Sequence, residues 1–177
     1  QESIQYPSLN IRGLQSGWVG NQARTIIPST AIAEIDVRLV LESNPERLIK
    51  LIKNHIKSLG YTIIDHDPSD TERMNFDKIM KMEYNIAYPA FRTPTSAPEG
   101  KWLSSILRKY YKSEPVLIRT SGGSVPISPF VNELGLPAIG IPTVNLDNNQ
   151  HSPNENLRLG NYFEGIETFV SILLTKY

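Results

Sequence analysis

The spacing of apolar and polar residues divides the chain into two kinds of segment. Residues 7–14 alternate as a strand and run into a glycine-punctuated loop, SGWVGNQAR. Residues 31–40, AIAEIDVRLV, are the clearest strand, with Ala33, Ile35, Val37 and Leu39 on one face and Glu34, Asp36 and Arg38 on the other. That alternation predicts a half-buried strand with a polar outer face. A helix follows. Asn44 suits its cap, Pro45 its first position and Gly60 its end, and Leu48, Ile49, Ile52, Ile56 and Leu59 make an apolar stripe. Two more strand-like runs, one from Tyr61 and one over residues 78–88, flank a polar turn, HDPSDTERMN. The order strand, strand, helix, strand predicts a small antiparallel sheet covered by a helix.

Past the proline-rich stretch PAFRTPTSAPEG the pattern changes. A helix over about residues 100–112 leads to the compact strand PVLIR. A short helix near residues 129–134 and a second compact strand, PAIGI, come next. In the last helix, from Leu159, the residues Tyr162, Phe163, Ile166, Phe169, Val170 and Leu173 predict the buried face. Strands alternating with helices predict a parallel α/β layer. The chain therefore reads as an α+β domain over residues 1–88, a linker over 89–97 and an α/β domain over 98–177.

Composition narrows the partners. The 177 residues carry no net charge and no Lys/Arg-rich run, which argues against nucleic acid or an anionic membrane as a ligand. No run of about 18 apolar residues exists, so no membrane span is expected. With no cysteine, any metal must be held by imidazole and carboxylate. The chain starts without Met and without a signal-like segment, and is expected to be a fragment or a processed product.

Three places could carry chemistry. In RTSGGSVP, the backbone N–H groups of Gly122 and Gly123 could converge on an anion, with the Ser124 hydroxyl beside them. The spacing is neither that of a P-loop nor that of a nucleophile elbow, and a plain tight turn also explains it. Arg38 could grip a carboxylate with its two-pronged guanidinium, or simply pair with Asp36 or Glu34 on its own face. Of the three histidines, His55 on the helix stripe reads as a partly buried structural residue, and His66 in DHDP as part of a solvated loop. His151 differs. It lies in NNQHSPNENLRLG, after a strand and before a helix, where ligand-bearing loops of α/β sheets gather, and Ser124 also follows a strand end. One imidazole cannot bind zinc tightly, and Asp147 and Glu155 are the nearest further donors.

Taken together and in order, RTIIPSTAIAEIDVRLV, GYTI, RTSGGSVP and HSPNENLRLGNYFEGIETFVSIL resemble the co-catalytic dizinc metallopeptidases of the aminoacylase, carboxypeptidase and carnosinase type. The nearest branch is that of the cytosolic nonspecific dipeptidases and carnosinases. The resemblance implies part of a lid and dimerisation domain over residues 1–88, followed by the C-terminal portion of a catalytic α/β domain. It implies that His151 is a ligand of the second of two zinc ions. Arg38 would grip the substrate carboxylate, Thr25 would reach toward substrate, in some members of the family across the homodimer, and Ser124 with Gly122 and Gly123 would sit beside the terminal carboxylate. The substrate implied is a small peptide or an N-acyl amino acid, and the compartment implied is the cytoplasm.

The family's H-x-D motif, bridging Asp and Glu-Glu pair have no counterpart here, and Thr120 and Ser121 stand where the carnosinase branch has Arg and Glu. No catalytic residue is therefore expected in this chain, and alone it should be inert and bind zinc poorly. Glu155 is expected to tie the His151 loop to the helix start. The alternative is a non-catalytic dimerising module that binds a small carboxylate.

Overall fold

A computed structural model describes residues 2–177. The chain divides after Phe91 into two compact units. The division falls inside the proline-rich stretch.

In the first unit, β1 (Ser8–Ser16) and β2 (Ala31–Arg38) form an antiparallel ribbon. Ile11 pairs with Ile35 and Gly13 with Glu34, so Arg12 is an extra, bulged residue. The bulge corrects the apolar phase. Without it Leu14 would point away from Leu9 and Ile11; with it Leu14 opposes Ala33, and all three join Ala33, Ile35 and Val37 on one face. On the other face the Arg12 guanidinium meets the Glu34 carboxylate at 3.0 Å. The expected half-burial is not found: Ile11 remains 58 % exposed, and Leu9, Leu14 and Ile35 are also exposed.

Helix α1 (Pro45–Ser58) forms as its signals require, with the Asn44 side chain accepting from the Arg47 N–H at 2.8 Å and Gly60 at a left-handed φ of 87°. It packs against β3 (Thr62–Ile64). His55 is exposed, not partly buried, because Leu48, Ile49, Ile52 and Ile56 are only half-buried and the helix offers no deep seat beside them. β3 pairs in parallel with β4 (Ile79–Lys81), Thr62 opposite Ile79, so this pair is separate from the antiparallel ribbon. Parallel pairing demands a crossover, and α2 (Asp70–Asn75) supplies it inside the stretch read as a polar turn. Ser69 and Glu72 cap α2 reciprocally.

The second unit is built on α3 (Pro98–Tyr111), α4 (Ser128–Asn132) and α5 (Leu159–Leu173). Leu103 and Ile106 of α3 are the buried hydrophobic residues among those described. Gly100 is required where it stands, since a Cβ there would lie 2.8 Å from the Thr95 carbonyl oxygen. α3 and α5 meet through Tyr111, whose hydroxyl is 2.7 Å from Thr168 Oγ1, and through Tyr110, which donates to Glu167 at 2.6 Å. The Glu167 carboxylate pushes the Tyr110 hydroxyl up to about 12.

Two expectations fail in this unit. The side of α5 that packs carries Gly165 and Thr168, with Gly165 against Thr143. Its aromatic and aliphatic stripe of Tyr162, Phe163, Ile166, Phe169, Val170 and Leu173 faces outward, Leu173 being 83 % exposed. The small side of α5 is the one that packs, Gly165 against Thr143 and Thr168 against Tyr111 of α3, which leaves the bulky side facing away. PVLIR and PAIGI are also not paired into strands among the described residues, and Val116 is 87 % exposed. The chain exposes 14284 Å². Two independent folded domains sharing its 19.9 kDa would expose about 10,400 Å². The total surface left open is thus well beyond that of ordinary small domains, and many large apolar side chains lie in it.

Candidate functional site

In the second unit His151 sits in a loop between residues 145 and 158. Three residues there other than glycine adopt left-handed backbone: Asn149 at φ 57°, His151 at φ 61° and Asn154 at φ 63°. Such conformations cost energy for residues with a Cβ, least for Asn, and they persist only where surrounding bonds impose them. Those bonds come from asparagines. Asn148 Oδ1 accepts from the Gln150 N–H at 2.7 Å, and its carbonyl accepts from the Asn156 N–H at 2.8 Å. Asn149 Nδ2 donates to the Pro153 carbonyl at 3.1 Å, and its carbonyl accepts from the Ser152 N–H at 2.9 Å. The loop is closed onto the start of α5 by Asn145, Asp147, Asn156 and Arg158. Glu155 is exposed and makes none of these closing bonds, so the expected tie to the helix start is formed by other residues.

The His151 imidazole is exposed and has no hydrogen-bond or ion-pair partner among the described residues. Asp147 is already engaged. The Asn145 amide, its own backbone N–H and the Arg158 guanidinium hold its carboxyl below the ordinary carboxylate range. Among the described residues no group of three or more His, Cys, Asp or Glu could hold a metal ion. The donor set of this chain therefore does not fit a zinc site by itself, and no catalytic step through a metal is derived from it.

The other residues singled out from the sequence are less elaborately held. Ser124 is exposed, with Gly122 and Gly123 in an exposed bend before α4. Neither glycine is among the left-handed ones, and a Cβ on Gly123 would meet nothing within 4 Å. The bend thus lacks the alternating backbone that makes a ready anion nest. In the first unit Thr25 lies exposed in the loop before β2. Arg38, at the end of β2, donates through Nε to Asp36 Oδ2 at 2.6 Å, the same-face pair weighed from the sequence.

His66 lies in an exposed loop, as expected, and is bridged there by two carboxylates. Its Nδ1 is 3.0 Å from Asp65 Oδ1 and its Nε2 3.0 Å from Glu72 Oε1, so only an imidazolium satisfies both. Hydrogen bonding to Asp65, then to Glu72, raises its pKa above the usual 6.5. The Ser69 hydroxyl, then the Ser69 N–H, hold Glu72 down at about 2. Lys81 completes a neighbouring chain of charges with Asp67 and Glu83.

Comparison with known proteins gives this geometry a context. Residues 1–63 match the peptidase dimerisation domain family. The chain is 25 % identical over 174 residues to a Cys-Gly metallodipeptidase of Schizosaccharomyces pombe, covering 96 % of this chain and 33 % of that protein. It is 24 % identical over 170 residues to the human Beta-Ala-His dipeptidase, covering 96 % and 31 %. Among solved structures it is similar to an M20 family metallo-carboxypeptidase of Sulfolobus solfataricus, with 27 % identity, a TM-score of 0.67 and coverage of 95 % and 35 %. Human carnosine dipeptidase 1, 24 % identical, shares the fold with a TM-score of 0.65 over 98 % of this chain and 35 % of that one. The chain spans about a third of the length of the curated relatives it matches. Among the described residues no helix is long and apolar enough to cross a membrane.

Proposed function

From the premise that this chain belongs with the M20 metallopeptidases and carries their peptidase dimerisation domain, we propose that it supplies two parts of such an enzyme. Residues 1–88 are the second part of the lid and dimerisation domain, and residues 98–177 the C-terminal part of the catalytic domain. The complete protein hydrolyses a dipeptide or an N-acyl amino acid and forms a homodimer through the first part. His151 is a ligand of one of two zinc ions whose other ligands lie outside these residues. Arg38 and Thr25 in the first unit, and Ser124 with Gly122 and Gly123 in the second, act on the substrate's carboxylate. Alone, the chain does not hydrolyse peptides.

The observation that carries the reading is the alignment with metallodipeptidases over 96 % of the chain. The left-handed, asparagine-bound loop supports it, because it presents an unpartnered imidazole. So does the open apolar surface of α5, of residues 115–119 and of the β1–β2 ribbon, which fits a chain that folds against further polypeptide. The test is the complete reading frame. An upstream H-x-D motif, a Glu-Glu pair and zinc-dependent dipeptide hydrolysis by the encoded protein are expected. An unrelated upstream domain and no hydrolysis would overturn the reading in favour of a carboxylate-binding dimerisation module.

A further inference from the structure

Asn145 is one of three buried polar residues among those described, at 5 % exposed. Its amide is fully used. Nδ2 donates to Asp147 Oδ1 at 2.9 Å and to Asn156 Oδ1 at 3.1 Å, while Oδ1 accepts from the Arg158 N–H at 3.1 Å. The reversed amide would place its oxygen against two acceptors and its NH₂ against a donor, so the orientation follows from the network. Asp147 before the His151 loop and Asn156 and Arg158 after it therefore meet on one side chain. The Arg158 guanidinium closes the ring on the other Asp147 oxygen. Asn156 in turn passes its own amide N–H to the Asn154 carbonyl at 3.1 Å, beside the last of the left-handed residues.

We propose that Asn145 is the positioning residue of the His151 loop: its buried amide pins residues 147, 156 and 158 together and so fixes where the His151 imidazole is presented. Asn145 does not reach His151 itself. It acts through the loop, whose left-handed turns at Asn149, His151 and Asn154 hold only while the two ends are clamped. No other amino acid offers two donors and an acceptor at this reach. Asp lacks the donors and would set a carboxylate against Asp147, and Gln is one methylene too long. The functional importance of this positioning rests on the reading of His151 as a metal ligand, but the positioning itself does not.

The test is made on the 177-residue chain by NMR. In Asn145→Ala the single His151 imidazole signal is expected to shift and split. Amide exchange at Ser152 and Asn156 should rise at least about tenfold, while Leu103 and Ile106 in α3 keep their protection. Asn156→Ala, which removes one of the three bonds to Asn145 together with the bond from Asn156 to the Asn154 carbonyl, gives a change of the same kind and serves if the first variant does not fold. An unchanged His151 signal and unchanged loop exchange in the folded variants overturn the proposal. In the complete protein, His151→Ala separates the two ideas. Hydrolysis unaffected by that change removes the metal reading and leaves the loosened loop of Asn145→Ala as support for positioning.

Discussion

Two histidines in this chain stand in polar loops, and they are held in opposite ways. His66 is bracketed by carboxylates on both ring nitrogens, and a six-residue helix is capped by one of those same carboxylates. Its environment explains it completely: it is a local fastening between β3 and α2. Among the described residues His151 has no such partner, and four asparagines instead hold its loop in left-handed turns. A histidine whose surroundings consume its hydrogen bonds is structural. One whose surroundings constrain its backbone and leave its ring open fits the ligand role proposed for His151.

The largest effect expected from this contrast is on activity. In the complete protein, His151→Ala should lower dipeptide hydrolysis by more than about 100-fold, as loss of a metal ligand exceeds the loss of a supporting group. His66→Ala should leave the rate within about twofold. Steady-state kinetics on the two variants decides it, and equal losses would erase the distinction.

The next effect is on pH dependence, and it sits in the bracket formed by His66 and Glu72. Its raised pKa means that its fastening is complete below 6.5 and is lost as pH climbs through the folded value. The depressed Glu72 works in the other sense: its contribution is complete above 4.5 and fades as pH falls towards about 2. Amide exchange in β3 and α2, corrected for intrinsic rates, should therefore be slowest between these limits and quicken on both sides. A profile that stays flat as pH rises above 6.5 into the alkaline range would contradict the bridged geometry.

Smaller effects concern stability. Asn44→Ala should cost about 1 kcal/mol by removing the α1 cap, measured by denaturant unfolding of the chain. His151→Gly should stabilise the chain by about 0.5 kcal/mol, because relief of a left-handed conformation outweighs the added freedom of the unfolded backbone. A destabilised His151→Gly would mean that the ring has packing partners within the fold.

Local rules made some of this legible. α1 was readable from Asn44, Pro45 and Gly60, because caps and breakers act within a few residues. The β1–β2 pair was readable from alternation, though not the bulge at Arg12 that brings Leu14 into phase. α2 was missed although its capping box, Ser69 with Glu72 three residues on, is written in the chain. The error over α5 has another origin. Periodicity shows that a helix has an apolar stripe but not which neighbour it meets, and here close approach at Gly165 and Thr168 decides the packing. His151 is singled out by its setting in the sequence, whereas nothing local marks Asn145, whose burial is a property of the fold.

On the function proposed above, this chain presents one ligand of a metal site and does not hold the ion alone. Calorimetric titration of the 177-residue chain with zinc tests it most directly, alongside the His151→Ala variant. Weak, non-stoichiometric binding that differs little between the two is predicted. Tight one-to-one binding that disappears in His151→Ala would contradict it.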